Sequence, residues 1–161
     1  MKDSITLERI KLIHPDLRDE LTMIYEEICS KLTGSAFCRF THTLRTFKEQ
    51  DDLYAKGRST KGQRVTNAKG GESYHNYGLA VDFVLIKDGK AVWNRGEDFD
   101  GDKMPDWMEV VKIFKKYGWE WGGDFKSFKD YPHFQKPFGK SIKQLYAMWE
   151  QQTKTTYIKL A

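Results

Sequence analysis

The feature that most constrains the fold of this chain is the ten-residue stretch SYHNYGLAVD at positions 73–82. It places His75 seven residues before Asp82, with Gly78 between them. From Gly78 to position 86 every side chain except that of Asp82 is apolar or absent, which predicts a central β-strand over 78–86. A carboxylate in such a strand is costly to bury unless a cation neutralises it. The stretch therefore predicts a strand that carries a metal ligand, with a turn at Gly78 that lets His75 approach Asp82.

A second histidine stands in the sequence DYPH, where Asp130 precedes His133 by three residues. Together, His75, Asp82 and His133 form a suitable three-ligand set for a catalytic zinc ion, with one coordination position left for water. Asp130 is then the nearby carboxylate that can take a proton from that water. Each residue alone has a simpler interpretation, as a surface or core histidine or as a turn aspartate. Their combination in glycine- and proline-marked segments predicts a zinc peptidase.

Two further polar residues extend the predicted site. Arg45 precedes a capped helix, and its planar guanidinium suits a substrate carboxylate or the oxyanion of a tetrahedral intermediate. Ser73 lies two residues before His75, where it can hydrogen-bond substrate or orient the ligand. A solvated arginine is the simpler interpretation of Arg45. His14 and His42 stand outside these motifs and are interpreted as ordinary histidines.

The rest of the chain alternates amphipathic helices with short strands. Apolar spacing and helix-start signals predict helices at 6–13, 15–32, 46–56, 106–117 and 141–151. Strand propensity predicts strands at 37–43, 78–86, 91–93, 119–121 and 133–135. The turn signal Lys-Asp-Gly-Lys after the central strand favours antiparallel pairing. The predicted fold is α+β, a small and mostly antiparallel sheet with helices packed on it, in a single domain over residues 1–161.

Composition and charge argue against several classes of protein. A hydrophobic fraction of 39% and an aromatic fraction of 14% predict a folded globular chain rather than a disordered one. The formal net charge of +4 is too small to distinguish a cell-wall polymer from nucleic acid as a partner. Dispersed lysines without a base-stacking motif argue against nucleic acid. Cys29 and Cys38 lie in apolar settings outside any CxxC pair, which favours two buried thiols over a disulfide or a cysteine zinc site.

The sequence shows neither a targeting signal nor a membrane-spanning segment. No apolar run is long enough to cross a bilayer, so no membrane insertion is predicted. The residues after Met1 lack the apolar centre of a secretory signal. We therefore expect synthesis in the cytoplasm and, for a substrate outside the cell, release by a separate factor. A monomer is the default expectation. The segment 59–71 is expected to be a surface loop, and the tail at 153–161 an appendage without defined packing.

In the order in which they occur, these motifs resemble those of a known peptidase family. The pattern Ser-x-His-x-x-Gly-x-Ala-x-Asp at 73–82 resembles the zinc motif of the VanY-like D-Ala-D-Ala carboxypeptidase family, which includes phage L-alanyl-D-glutamate endopeptidases. Arg45, with Gln50 five residues later, resembles the upstream block of that family. The pattern Asp-x-x-His at 130–133 resembles its closing block. The resemblance spans residues 40–135, most of the chain.

The resemblance implies a fold like that of Hedgehog domains and D-Ala-D-Ala peptidases, with one catalytic zinc ion. The implied site comprises, in chain order, the transition-state arginine Arg45, the substrate-binding residues Gln50 and Ser73, the zinc ligands His75, Asp82 and His133, and the acid/base Asp130. The C-terminal helix and tail at 141–161 lie outside the resemblance, which implies no role for them.

The residue in the acid/base position implies a branch of the family. The carboxypeptidase and dipeptidase branches usually carry glutamate there, whereas Asp130 resembles the endolysin branch, which cuts between L-Ala and D-Glu of the peptidoglycan stem peptide. The implied function is a phage lysis enzyme, made in the host cytoplasm and released to the cell wall through membrane holes formed by a holin. A zinc D-Ala-D-Ala carboxypeptidase is the alternative. A non-catalytic binding module is a further alternative, disfavoured because every ligand and the acid/base are present.

A second acidic constellation follows the central strand. Its members occupy the oxygen-ligand positions of an EF-hand-like calcium loop, namely Asp98, Asp100, Asp102, Asp106 and Glu109. Lys103 stands where the turn glycine of such a loop belongs, and no entering helix is predicted. A solvated acidic turn before a helix N-terminus explains the same residues. Calcium is therefore a secondary expectation beside zinc.

Overall fold

Five strands form one sheet in residues 2–161, the part of the chain that this computed structural model describes. They are β1 (Ala36–His42), β2 (Ala80–Lys87), β3 (Lys90–Val92), β4 (Glu120–Trp121) and β5 (His133–Gln135). The order across the sheet is β1-β2-β5-β4, with β3 also paired to β2, and every pairing is antiparallel. The predicted central position of β2 is confirmed, because it pairs with three other strands.

Five α-helices accompany the sheet within the same described residues. They are α1 (Ser4–Leu12), α2 (Arg18–Lys31), α3 (Phe47–Ala55), α4 (Asp106–Lys116) and α5 (Ile142–Gln151). α2 begins later than predicted, because a separate 3-10 turn at Pro15–Leu17 precedes it. α3 begins with the predicted capping box, in which Thr46 and Glu49 each accept the backbone N–H of the other. The helices and the antiparallel sheet together confirm the α+β class.

An aromatic core packs on one face of the sheet, and the candidate site residues lie on the other face. Phe114 of α4 stacks on Phe134 of β5, with ring centroids 4.0 Å apart. Phe83 of β2 stacks on Phe134 in turn, at 5.4 Å. Successive side chains of a strand point to opposite faces of the sheet. Asp82 and His133, the neighbours of Phe83 and Phe134, therefore lie together on the face away from this aromatic stack.

Strand pairing sets the register of that face. Asp82 on β2 pairs with His133 on β5 and with His42 at the end of β1. The register of β1 shifts between Phe40 and His42, which marks an irregularity at its C-terminal end. Side chains from two other strands, His42 of β1 and His133 of β5, consequently adjoin Asp82.

Gly78 joins the segment that carries His75 to β2. A 3-10 helix at Tyr74–Tyr77 ends at Gly78, whose φ of +70° lies in the left-handed region. A β-carbon there would lie 2.8 Å from the backbone nitrogen of His14. The turn predicted at Gly78 is therefore confirmed, and both the backbone conformation and the close approach of His14 require glycine.

The C-terminal tail is anchored to the N-terminal part of the chain, which corrects the expectation of an unpacked appendage at 153–161. His14 Nε2 lies 2.6 Å from the carbonyl oxygen of Ile158, and the Ile158 side chain is buried. The Tyr157 hydroxyl donates a hydrogen bond to the Leu12 carbonyl at 2.7 Å. Sequence patterns missed this packing because it depends on contacts between opposite ends of the chain.

Other expectations concern cysteines, the long loop and membranes. Within residues 2–161 no disulfide joins Cys29 and Cys38; Cys38 is buried as predicted, whereas Cys29 is only partly buried. The segment 59–71 is irregular, as predicted. None of the helices in the described part of the chain has the length and apolar character needed to cross a membrane.

Candidate metal centre

His75, Asp82 and His133 converge at one point of the sheet. Each offers one ligand atom, and the three atoms lie within 4.8 Å of one another. Asp82 Oδ1 stands 3.2 Å from His75 Nε2 and 3.0 Å from His133 Nδ1. The structure therefore brings together the three residues predicted as zinc ligands.

The backbone fixes the orientation of His75. Its Nδ1 lies 2.8 Å from the Thr43 carbonyl oxygen, which can only accept a hydrogen bond, so Nδ1 carries the proton. Nε2 then directs a lone pair toward Asp82 and has no hydrogen-bond partner in residues 2–161. Ser73 Oγ accepts the His75 N–H at 3.2 Å and caps the short helix that holds the imidazole. Ser73 thus contacts the backbone of the candidate ligand, and its role in orienting that ligand or in binding substrate stays a prediction.

Gln135 fixes the orientation of His133 in a similar way. The Gln135 amide nitrogen donates to Glu120 Oε1 at 3.1 Å, which leaves Gln135 Oε1 to face His133 Nε2 at 2.8 Å. In neutral His133, Nε2 therefore donates, and Nδ1 presents a lone pair to Asp82. Gln135 is not among the site residues predicted from the sequence motifs. Its spacing of two residues from His133 on a predicted strand puts both side chains on one face, which is the signal that identifies it.

The resulting arrangement fits a cation. With both histidines neutral, two imidazole lone pairs and one carboxylate oxygen point toward each other at 3.0–3.2 Å. Such an arrangement is repulsive unless a positive charge lies among the three atoms. Two imidazole nitrogens and one carboxylate oxygen are also a ligand set that zinc accepts with its fourth position open. The donor set and the unpartnered Nε2 of His75 therefore fit a zinc ion.

The charges of the three residues influence one another. Burial raises the pKa of Asp82, but the two adjacent imidazoles outweigh this effect and hold that pKa well below its usual range. Burial lowers the pKa of His133, but in the chain without a metal the protonated ring donates to the Asp82 carboxylate, and this hydrogen bond and the carboxylate charge outweigh burial and leave that pKa raised. Asp82 is thus an anion near neutral pH, as a metal-ligating carboxylate must be.

Arg45 reaches the site from the segment after β1. Its Nη2 lies 3.9 Å from Asp82 Oδ2, and its Nη1 donates to Gln50 Oε1 at 3.1 Å. Gln50 is only 1% exposed, and its amide nitrogen donates to the Ala68 carbonyl at 2.9 Å. Gln50 therefore holds the Arg45 guanidinium beside Asp82. A direct contact of Gln50 with substrate stays a prediction.

Asp130 lies on the turn that leads into β5. Its carbonyl accepts the His133 N–H at 3.2 Å, and its own N–H donates to the Gly122 carbonyl at 3.0 Å. A β-carbon on residue 122 would collide with the Asp130 carbonyl, so this turn requires glycine at that position. Desolvation, followed by the negative charge of Asp82, raises the pKa of Asp130. A carboxyl group with a raised pKa beside candidate metal ligands is suited to proton transfer.

His42 adjoins the site although no sequence motif includes it. Its Nδ1 lies 3.9 Å from Asp82 Oδ2, and its ring meets that of His75 edge-on with centroids 6.5 Å apart. Burial, followed by the positive charge of Arg45, lowers the pKa of His42. Strand pairing thus brings His42 beside Asp82, although His42 does not belong to the converging ligand set.

The residues predicted for calcium form a separate cluster between β3 and α4. Carboxylate oxygens of these residues approach within 4.8 Å in two overlapping sets, drawn from Asp98, Asp100, Asp102, Asp106 and Glu109. The cluster shares no residue with the set of His75, Asp82 and His133.

The family comparison agrees with this geometry. A sequence model of the family described as D-alanyl-D-alanine carboxypeptidase matches residues 66–136. The matched segment contains the three candidate zinc ligands and Asp130, while Arg45 and Gln50 precede it. The match confirms the family resemblance that the motifs predict.

Two curated relatives share sequence with the chain. It is 57% identical over 96 residues to the peptidoglycan L-alanyl-D-glutamate endopeptidase CwlK of Bacillus subtilis (strain 168). The aligned residues are 59% of this chain and 58% of CwlK. It is 38% identical over 81 residues to the L-alanyl-D-glutamate peptidase of Listeria phage A118. The aligned residues are 47% of this chain and 27% of the phage protein. The chain therefore spans less than two thirds of the length of either relative.

A solved structure resembles most of this chain. The crystal structure of the Serratia marcescens L-Ala D-Glu endopeptidase ChiX matches with a TM-score of 0.54 and 26% sequence identity. The match covers 84% of this chain and 88% of ChiX. It confirms the predicted fold class and extends the similarity well beyond residues 66–136.

Proposed function

We propose that this protein is a zinc-dependent peptidoglycan hydrolase. It cuts the bond between L-alanine and D-glutamate of the stem peptide. The premise is the match of residues 66–136 to the family described as D-alanyl-D-alanine carboxypeptidase. The observation that carries the proposal is the convergence of two imidazole nitrogens and a carboxylate oxygen at His75, Asp82 and His133. The choice of bond is supported by the names of CwlK, the phage A118 peptidase and ChiX.

The zinc ion would be held by His75 Nε2, a carboxylate oxygen of Asp82 and His133 Nδ1. When bound, zinc supplies a Lewis acid that activates water and polarises the scissile carbonyl. The chain keeps the ligands in place, because the Thr43 carbonyl and Gln135 hold the far nitrogens of the two imidazoles. Loss of such outer partners typically costs about 10–100-fold in metal affinity or activity.

Asp130 is the proposed general base and general acid. It precedes β5 by three residues and does not belong to the converging ligand set. In its ionised form it accepts a proton from the attacking water, and in its protonated form it gives that proton to the leaving amino group of D-glutamate. Its raised pKa brings the two forms closer in free energy near neutral pH.

Arg45 is the proposed stabiliser of developing negative charge. Gln50 holds one of its nitrogens, and the Arg45 side chain is only 15% exposed, so the guanidinium is fixed rather than solvated. A fixed cation beside Asp82 suits the oxyanion that forms when water adds to the scissile carbonyl. A preorganised donor of this kind contributes about 2.7–4 kcal/mol to lowering the barrier.

A second candidate is a zinc D-Ala-D-Ala carboxypeptidase with the same site. The description of the matching family favours it. In that reaction Arg45 would bind the terminal carboxylate of the substrate rather than an oxyanion. The products separate the candidates, because the endopeptidase creates new L-Ala carboxyl and D-Glu amino ends, whereas the carboxypeptidase releases D-alanine. A non-catalytic binding module yields neither product.

The proposed biological role is phage lysis. The protein would be made in the host cytoplasm and released through a holin. The match to the Listeria phage A118 peptidase supports it. The bacterial CwlK, at 57% identity, favours an enzyme of a bacterium's own wall instead. Production of the chain in a bacterium with and without a holin distinguishes the two. Lysis that requires both proteins supports the phage role, and lysis by the chain alone contradicts dependence on a holin.

Mass spectrometry of digested, purified peptidoglycan tests the activity itself. The zinc-loaded protein is compared with the Asp130→Asn variant, each with and without a chelator. New L-Ala carboxyl and D-Glu amino ends are expected only from the zinc-loaded wild type. Release of D-alanine would favour the second candidate. The same yield of products after removal of zinc would show that the metal is not required.

A further inference from the structure

The segment 98–109, here called the acidic loop, connects β3 with the first turn of α4 and carries carboxylates that the proposed mechanism does not use. In each of two sets, one carboxylate oxygen per residue lies within 4.8 Å of the others. The sets are Asp98, Asp100 and Asp106, and Asp100, Asp102 and Glu109. Because Asp100 belongs to both, the five carboxylates form one continuous cluster.

Two of these carboxylates are buried with an oxygen left unpaired. Asp106 is 0% exposed; its Oδ1 accepts the Phe99 N–H at 3.2 Å, but its Oδ2 has no hydrogen-bond partner in residues 2–161. Glu109 is 6% exposed, and its Oε2 also has no partner within the described chain. Leaving buried carboxylate oxygens unpaired is costly. Since both residues belong to the converging sets, their carboxylates lie close to other carboxylates, and a cation among them would stabilise this arrangement.

In the acidic loop, Lys103 adopts the backbone conformation that the glycine of a calcium loop normally provides. In a twelve-residue calcium loop, the sixth position turns sharply and is normally glycine. Lys103 occupies that position, and its φ of +71° is nevertheless in the left-handed region. Its backbone N–H donates to Asp98 Oδ2 at 2.8 Å, which ties this turn to the first position of the loop. The turn therefore forms with lysine in place of glycine.

We propose that the acidic loop binds a calcium ion through the carboxylates of Asp98, Asp100, Asp102, Asp106 and Glu109. All these donors are carboxylate oxygens, which suit a hard cation such as calcium better than zinc. Their positions in the loop are first, third, fifth, ninth and twelfth, the positions of side-chain ligands in EF-hand loops. The loop is entered from β3 instead of from a helix, whereas α4 takes the place of the exiting helix.

Calcium at this position would stabilise the junction of three segments. Asp100 Oδ2 accepts the Thr33 N–H at 3.4 Å, which links the acidic loop to the turn after α2. Gly34 in that turn packs so closely on Phe99 that a β-carbon would collide with the Phe99 carbonyl. Asp106 and Glu109 belong to the first turn of α4. Binding is therefore expected to raise the stability of the fold, and it does not depend on the proposed hydrolytic activity.

Calorimetry and thermal unfolding of the zinc-loaded, calcium-depleted full chain test this site. Titration with calcium chloride should give a saturable binding heat and raise the Tm by about 5 °C. The exposed Asp98→Asn and the buried Glu109→Gln variants should each weaken calcium binding at least about tenfold. Asp52→Asn serves as the matched control, because Asp52 is exposed, lies outside the acidic loop and pairs with Lys48 on α3. This control should bind calcium like the wild type.

Three results would overturn the proposal. The first is the absence of binding heat and of any Tm shift at about 10 mM calcium, well above the range of weak extracellular sites. The second is calcium binding that Asp98→Asn and Glu109→Gln leave unchanged, since the ion would then bind elsewhere. The third is an equal response to magnesium, which would contradict the assignment of calcium. Because none of these readouts uses peptidoglycan, failure of this site and failure of the proposed peptidase activity are distinguishable.

Discussion

The Nδ1 atom of His75 lies 2.8 Å from the carbonyl oxygen of Thr43, so the backbone at the end of β1 determines which nitrogen of this imidazole faces Asp82. The same task is performed for His133 by the side chain of Gln135, at 2.8 Å. One ligand is thus oriented by main chain and the other by a side chain. Only the second of these supports can be removed by a single substitution.

Loss of His133 should remove the metal. In His133→Ala the site keeps only one imidazole, and we expect zinc to be lost together with hydrolysis. His42→Ala is the matched control, because His42 also lies beside Asp82 but outside the converging set. Metal content is measured by elemental mass spectrometry after dialysis. Full retention of zinc by His133→Ala, or its loss from His42→Ala, would show that the ligand set is wrong.

Loss of the Asp130 carboxylate should separate metal binding from turnover. Asp130→Asn keeps all three candidate ligands, so we expect normal zinc content and a kcat lower by about 10²–10⁴-fold, the usual contribution of a general acid–base group. Asp124→Asn is the control, because Asp124 is exposed and pairs with Lys115 on the surface. Steady-state hydrolysis of a stem peptide provides the rate. A near-normal kcat in Asp130→Asn would exclude this residue from proton transfer.

Gln50 should act through Arg45. Because Gln50 is buried and holds Nη1 of Arg45, Gln50→Ala should reduce kcat/KM in the wild type but have little further effect in Arg45→Ala. The double-mutant cycle should give a coupling free energy of about 0.5–3 kcal/mol. Circular dichroism of each variant checks that the fold is retained. Additive effects of the two substitutions would contradict a positioning role for Gln50.

Asp3 should make stability depend on pH in the acidic range. Its carboxylate accepts hydrogen bonds from Arg39 Nε at 3.0 Å and Nη2 at 2.9 Å, and it caps α1 through the Thr6 N–H. The Arg39 hydrogen bond outweighs burial and lowers the pKa of Asp3. A lowered folded-state pKa means that this stabilisation is present above the unfolded pKa of about 3.9 and is lost as the pH falls through the folded value.

Asp3→Asn should therefore reduce the free energy of unfolding by about 1.5–3 kcal/mol at pH 7, the contribution of a charged hydrogen bond. The difference from wild type should shrink when denaturant unfolding is repeated at pH 3. Asp52→Asn, which alters an exposed ion pair, should change stability by no more than about 1 kcal/mol at either pH. A difference between wild type and Asp3→Asn that stays constant with pH would contradict this assignment.

The convergence of the candidate ligands could be predicted from sequence because the constraints on these residues are local. Asp82 interrupts an apolar strand, Gly78 permits the turn beside it, and Asp130 and His133 share one short segment. The position of β2 at the centre of the sheet followed from the same apolar run. These features depend on residue type and spacing, which a single sequence displays.

The supports of the site depend on tertiary contacts and could not be predicted in this way. Thr43 acts through a backbone carbonyl, which carries no sequence signal. His42 becomes a neighbour of Asp82 only through the antiparallel register of β1 and β2. Gln50 is recognisable as a helix residue, but its burial behind Arg45 depends on how α3 packs. The anchoring of Ile158 to His14 likewise spans nearly the whole chain.

The pairing of Asp82 with His133 bridges 51 positions of the chain, and this distance has a consequence for biosynthesis. His75 and Asp82 are synthesised before β5, and two of the three candidate ligands alone form an incomplete site. The third ligand arrives only when β5 pairs with β2. The three candidate ligands should therefore not converge in nascent chains until β5 has been made.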